Sequence, residues 1–219
     1  MKMVRPERVA GLSIAILASV LIVPPAMAYI LVTRWSNTAS GLTGGQGSPI
    51  TLTYSFVPDG TSIQFLGPSD LFAAFDATFG AGNWQQHFDQ AFERWGTLTG
   101  VTYVYEPNDD GANLGSGPGI LGVRGDVRIA GDFIDGPNGT LGFNQFRNDG
   151  DMVLDTGDMS TFNNSTNDYR LLRNLIMHEA GHGLGIAHIE STSAFLMEPF
   201  ISIAFDGPQL DDIRGAQRH

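Results

Sequence analysis

The sequence predicts an α+β domain, and three observations carry that reading. Short runs with a period of two come early: Ile50, Leu52, Tyr54 and Phe56 share one face of the stretch 49–57, and 101–105 and 126–130 are rich in strand formers. The most regular apolar helical pattern after them lies late, at 169–177. No internal repeat or composition break divides the chain after its first 28 residues, so strands first and a helix late belong to one sheet-and-helix domain.

Taken in order, residues 1–28 read as a signal peptide. Lys2, Arg5 and Arg8 form a positive start, Leu12 to Val23 is an apolar run, and Ala26-Met27-Ala28 is a small-residue cleavage site, giving a mature chain from Tyr29. The run is too short to span a bilayer comfortably. Residues 29–48 read as a flexible lead-in, with Ser, Thr and Gly concentrated from 36 onward. Pro49 to Val57 is the first strand. Residues 58–82 read as a surface insertion with a short helical piece at Asp70 to Phe75. Asn83 to Leu98 is an amphipathic helix with Trp84, Phe88, Phe92 and Trp95 on one face, ended by Gly100; His87 lies in it as a partly exposed side chain. Strands follow at Val101 to Tyr105 and Asp126 to Ala130, separated by a loop over 108–122. The run Gly115-Ser116-Gly117-Pro118-Gly119 in that loop has an internal proline and no helix after it, which argues against a phosphate loop. Asp135-Gly136-Pro137-Asn138-Gly139 is turn chemistry, Leu141 to Phe146 a short edge strand and Met152 to Leu154 a further strand. Asp168 is the expected N-cap of the late helix.

That helix runs into His178-Glu179-Ala180-Gly181-His182-Gly183-Leu184-Gly185-Ile186-Ala187-His188, which fits H-E-x-x-H-x-x-G-x-x-H. His178 and His182 are four apart, so both imidazoles face one way, one turn apart. Gly185 can take the left-handed conformation that ends a helix and lets the chain return with His188 as third ligand. Three neutral imidazoles leave a fourth position for water, the pattern of a catalytic zinc site, where the pKa of bound water falls to about 7. Glu179 projects beside the ion, placed to take the proton of that water and pass it to a leaving amine. The motif reads as that of a zinc peptidase.

Composition fits an exported enzyme. The chain has no cysteine, so disulfides cannot stabilise it. Its only lysine, Lys2, lies in the signal; the mature part carries nine arginines against twenty-two carboxylates, a net charge near −13, which argues against nucleic-acid binding. Short Asp carboxylates in Gly-rich loops suit calcium, and an acidic solvated surface accounts for most of the remaining charge.

From about Pro49 to His219 the chain resembles the matrixin family, the matrix-metalloprotease-like metzincins. The resemblance rests on the motif, on Ser193-Ala194-Phe195-Leu196-Met197-Glu198-Pro199, which looks like the family's Met-turn, and on Leu210-Asp211-Asp212-Ile213-Arg214-Gly215-Ala216-Gln217, which looks like its C-terminal helix. It implies a zincin/metzincin-like fold: a twisted mixed β-sheet, a helix carrying HExxH and a C-terminal helix tied to the site by its Asp pair. It further implies that Met197 packs beneath the zinc, that Pro199, Phe200 and Ile201 wall the S1′ pocket, and that a structural calcium sits on Asp135, Asp155 and Asp158, the last replacing a Glu. The positions matching the family's structural-zinc histidines are Ala130, Phe143 and Val153, none of which binds zinc, so a single zinc is expected. Ile189 stands where the family usually has serine. No cysteine can serve as a cysteine switch, and 29–48 is too short for a helical pro-domain. The chain stops at His219, within the expected last helix, so it reads either as a fragment or as a shortened domain.

The expected function is that of a secreted or periplasmic zinc metalloendopeptidase, a monomer acting on protein or peptide substrates, with no nucleic-acid partner and no membrane anchor after signal cleavage. A substrate would lie extended beside the edge strand near Leu141 to Asn144. The alternative is a non-catalytic, metal-bound adhesion or binding module on the same fold; the presence of every ligand and of Glu179 weighs against it.

Overall fold

A computed structural model describes residues 29–137, 139–145, 149–191 and 194–218. The expected signal peptide (1–28), Asn138, Phe146 and Ser193 lie outside these residues. The stretch 29–48, expected as a flexible lead-in, carries β1 (Ile30–Leu31) and a tight antiparallel pair, β2 (Asn37–Thr38) and β3 (Gly41–Leu42). Its anchor is Trp35, 2% exposed, whose indole N–H donates to the Gly183 carbonyl at 2.8 Å. A polar, glycine-rich composition hid one aromatic residue with a long-range partner.

β4 (Ile50–Phe56) buries Ile50, Leu52, Tyr54 and Phe56 as its alternation predicts. Thr53 and Ser55, on its other face, are buried too; they are satisfied by Asp126 and Asp109. α1 (Leu71–Phe79) is longer than the expected 70–75 piece. The carboxylate of Asp59 accepts from the first-turn N–H groups of Phe72 and Ala73, each at 2.9 Å, so the helix start is satisfied from a loop more than ten residues away. α2 (Gln85–Leu98) lays Phe88, Phe92 and Trp95, with Trp84 at its start, onto β4; Phe92 lies 4.5 Å from Tyr54 and Phe88 5.2 Å from Phe56, centroid to centroid. His87 was expected partly exposed but is 5% exposed, held against Tyr169 at 4.7 Å between centroids, because the chain before the motif helix folds over this end of α2.

β5 (Val101–Tyr105), β6 (Val127–Asp132), β7 (Gly142–Asn144) and β8 (Met152–Asp155) complete a five-stranded sheet in the order β5-β4-β6-β8-β7. β4 pairs in parallel with β5 and β6, β6 in parallel with β8, and β7 antiparallel with β8, so the sheet is mixed with its one antiparallel strand at an edge. A short α3 (Met159–Phe162) leads to α4 (Arg170–Gly183), which packs across α2 and the β7 end of the sheet. β9 (Ile186–Ala187) pairs with β1, and α5 (Leu210–Ala216) closes the described chain. No described helix is long and apolar enough to cross a membrane.

Asp168 does not cap α4. Asp168 and Tyr169 both take positive φ, 51° and 52°, and Asp168 instead meets the Arg173 guanidinium with its carboxylate at 3.0 Å and also with its carbonyl. Ala130, Phe143 and Val153 are cross-strand neighbours in register and share a small apolar cluster with Val57, Ile63 and Leu114.

Candidate active site and metal centre

α4 is buried on all sides from Leu172 to Gly183, and this places His178 and His182 in the interior, with ring centroids 4.7 Å apart. The helix ends at Gly183, and Gly185 turns the chain with φ 86°. A Cβ at Gly185 would collide with the Thr33 carbonyl oxygen, so both the left-handed backbone and the close approach of the 29–35 segment require glycine. β1 then pairs with β9 in the register Ile30↔Ala187 and Leu31↔Ile186, and Val32 N–H donates to the Gly185 carbonyl at 2.8 Å. The next residue is His188. Its Nε2 lies 2.9 Å from that of His178 and 3.0 Å from that of His182.

The other ring nitrogens set the tautomers. His178 Nδ1 faces the Leu196 carbonyl and His182 Nδ1 the Ile186 carbonyl, each at 2.7 Å. A carbonyl only accepts, so both Nδ1 atoms carry the proton and both Nε2 atoms present a lone pair to the common centre. Burial pushes His178 down to about 3 and His182 down to about 4, and burial also lowers His188, so the three rings are neutral at neutral pH. Neutral imidazoles aimed at one point are the donor set a divalent transition metal needs. Among the described residues this is the only group of three His, Asp or Glu side chains whose ligand atoms converge.

Glu179 is 3% exposed, and its Oε2 has no hydrogen-bond partner among the described residues. Burial raises its carboxyl to about 8. It opens onto a cleft of about 740 Å³ that the three histidines also line. One wall is β7 at the free edge of the sheet; the other is Pro199, Phe200 and Ile201. Phe200 is 87% exposed at its rim.

Behind the histidines, Met197 is 1% exposed and its sulfur abuts Gly181; a Cβ there would collide with it. Asp212 of α5, fully buried, accepts from the N–H groups of Leu196 at 2.9 Å, Met197 at 3.2 Å and Gln209 at 2.7 Å. The Leu196 peptide thus links Asp212, through its N–H, to His178, through its carbonyl. Of the Asp pair only Asp212 makes this tie; Asp211 pairs with Arg214 on the surface.

The three carboxylates expected to hold calcium do not gather at one point. Asp155 is taken up by backbone: its two oxygens accept from the N–H groups of Ile134, Asp135, Gly136 and Gly157 at 2.7–3.2 Å. Asp135 accepts from Thr140 N–H, and Asp158 from the Thr161 hydroxyl. The turn at 134–140 is therefore drawn onto the end of β8 by the Asp155 carboxylate.

Two residues at the site escaped the sequence reading. Asn174 is fully buried on α4; its amide donates to the carbonyls of Ser202 at 2.7 Å and Phe205 at 2.9 Å and accepts from Gly207 N–H at 2.8 Å, shaping the loop that follows Pro199. An amide amid Leu171, Leu172, Leu175 and Ile176 was the available signal. Trp35 was the other, and nothing local announced its partner at Gly183.

The family profile of the matrixins matches residues 70–219. The chain belongs to the matrixin family. No curated protein matches it. Matrixins are metalloproteases that normally bind zinc, and in this matrixin the matched region holds α4, the histidine triad, Met197 and α5.

Proposed function

We propose that this matrixin is a secreted zinc metalloendopeptidase, with His178, His182 and His188 as its zinc ligands and Glu179 as its general base. The observation that carries the reading is the convergence of three imidazole Nε2 atoms beside a Glu179 carboxylate whose Oε2 has no hydrogen-bond partner among the described residues, in one open cleft. Zinc, when bound, supplies Lewis acidity that polarises a scissile carbonyl and lowers the pKa of an attached water. The residues supply the rest. The carbonyls of Leu196 and Ile186 hold the rings of His178 and His182 in the liganding tautomer. Glu179 takes the proton of the attacking water and delivers it to the leaving amine nitrogen, from a place in the same cleft as the three imidazoles.

A polypeptide lying along the free edge of β7 would pair backbone to backbone over Gly142 to Asn144, and its side chain beyond the scissile bond would enter the space beside Pro199, Phe200 and Ile201. Backbone pairing tolerates many sequences, with that space setting the preference. Export rests on the signal-like residues 1–28. Substitution Glu179→Ala leaves all three imidazoles in place, so it should keep one bound zinc while casein hydrolysis falls by at least about a hundredfold, the scale of a general base. Zinc content by mass spectrometry and a casein assay on one preparation check both halves. Retained hydrolysis within tenfold of the parent removes Glu179 from this role.

A further inference from the structure

Among the described residues the sheet has two free edges, and the cleft uses only one. β5 forms the other, four strand spacings or about 19 Å from β7. The hydrogen bonds Ile50 N–H to Gly100 O and Glu106 N–H to Tyr54 O show that the even-numbered residues bond inward to β4, so Tyr103 and Tyr105 turn their amides outward. Exposed edges are normally blunted with lysine, proline or a bulge. β5 reads Val-Thr-Tyr-Val-Tyr: it has no charge, proline or glycine, and Val104 and Tyr105 are each 45% exposed.

The two faces beside this edge differ. On the α2 side a cleft of about 520 Å³ lies between Tyr103 and the helix, and Asp89 and Glu93 line it. Both carboxylates are exposed, they sit one turn apart, and neither makes an ion pair among the described residues. A like-charge pair at i, i+4 destabilises the helix unless a cation sits between. Asp89 is held in place by the Tyr54 hydroxyl, which donates to it at 2.5 Å. On the opposite side, with Val104, a hairpin tip at 120–124 presents Ile120 and Leu121 to solvent and is tied to the end of β5 by Gly122 N–H donating to Glu106 at 2.7 Å.

We propose that the β5 edge is a second polypeptide-binding site, which takes an extended segment with Lys or Arg alternating with apolar residues. Strand addition satisfies the outward amides; the period of two sends every second side chain, the basic ones, over Asp89 and Glu93, and the apolar ones toward Val104 and the hairpin tip. A second copy of this chain is a poor occupant, since the sequence carries a net charge of −11 and would set Asp89 and Glu93 against themselves. The site would hold part of a partner protein apart from the cleavage cleft.

The test uses the full chain with Glu179→Ala, so that binding is read without turnover, and a fluorescent peptide of alternating valine and lysine followed by anisotropy. The expected result is saturable binding that weakens with salt, falls about tenfold with Glu93→Lys and by a smaller factor with Asp89→Asn, and is lost when alternate peptide amides are N-methylated. Glu93 is exposed, and matching melting curves verify that its variant folds. Failure to bind overturns the proposal, as does equal affinity for the parent and Glu93→Lys, which would place the peptide at β7. A concentration-dependent dimer of the peptide-free chain that Glu93→Lys abolishes also overturns it, making a second copy the occupant. Peptide hydrolysis plays no part in the readout, so the proposed activity can fail while this site stands.

Discussion

Arg128 has no exposed side-chain surface, and its guanidinium lies 2.6 Å from Asp109, itself 2% exposed. Burial would push the Asp109 carboxyl up, but hydrogen bonds from Arg128 and the Ser55 hydroxyl outweigh it and hold the group below the usual carboxylate range. A carboxylate depressed in the folded state contributes stability that is fully present above its unfolded pKa of about 3.9 and is lost as pH falls through its folded value. Asp109→Asn should therefore cost about 3 kcal/mol at neutral pH, because Arg128 keeps a buried charge, and the gap to the parent should close below about pH 4. Melting temperatures of both proteins across that range measure it; a gap that stays constant into acid would deny the pair this role. The difference between the two is the right readout, since Asp151, pushed well up chiefly by burial, has the opposite pH dependence in both. None of this was legible in the sequence. Arg128 sits in a run expected as a strand and Asp109 in a run expected as a loop, nineteen residues apart, and only the fold makes them neighbours. The histidine triad was legible because its spacing is local: two ligands share a helix face, and one glycine turns the third back.

At the scale of elements, the segment 29–35 decides more than its length suggests. β1 adds to β9 immediately before His188, Thr33 covers Gly185, and Trp35 bonds to the last residue of α4, so both sides of the turn between the second and third imidazoles are held by one stretch of chain. Trp35→Ala removes a buried indole and the hydrogen bond to Gly183, a loss of about 3–5 kcal/mol for an aromatic truncated in a core. The melting temperature should fall, and zinc, measured by competition with a chelator well below the melting point, should bind more weakly because His188 is less constrained. Weakened stability with unchanged zinc affinity would make the segment a prop for the core alone. The sequence disclosed strands with a clean period, such as 50–56 and 101–105, and the aromatic face of α2. It did not disclose elements whose determinants are remote, such as α1, whose first turn is satisfied by Asp59, and the 29–35 segment, whose partners lie about 150 residues on.

For the whole molecule, the question is how many ions the fold holds. Three strands meet where Ala130, Val153 and Phe143 stand in register, and the space they enclose is filled by Val57, Ile63 and Leu114. An apolar cluster holds those strands by burial, and among the described residues the triad is the one converging donor set, so a single zinc is expected. Dialysed protein should carry one zinc per chain, and a second tight zinc would contradict this assignment of the core. Calcium is decided at the turn 134–140. Asp155 already accepts from three N–H groups of the turn, those of Ile134, Asp135 and Gly136, and from Gly157 N–H, which would hold the turn without an ion. If calcium adds to that hold through Asp135 and Asp158, a chelator selective for it should lower the melting temperature while zinc content stays at one. A melting curve that does not move would leave Asp155 alone as the clasp between β8 and the wall of the cleft.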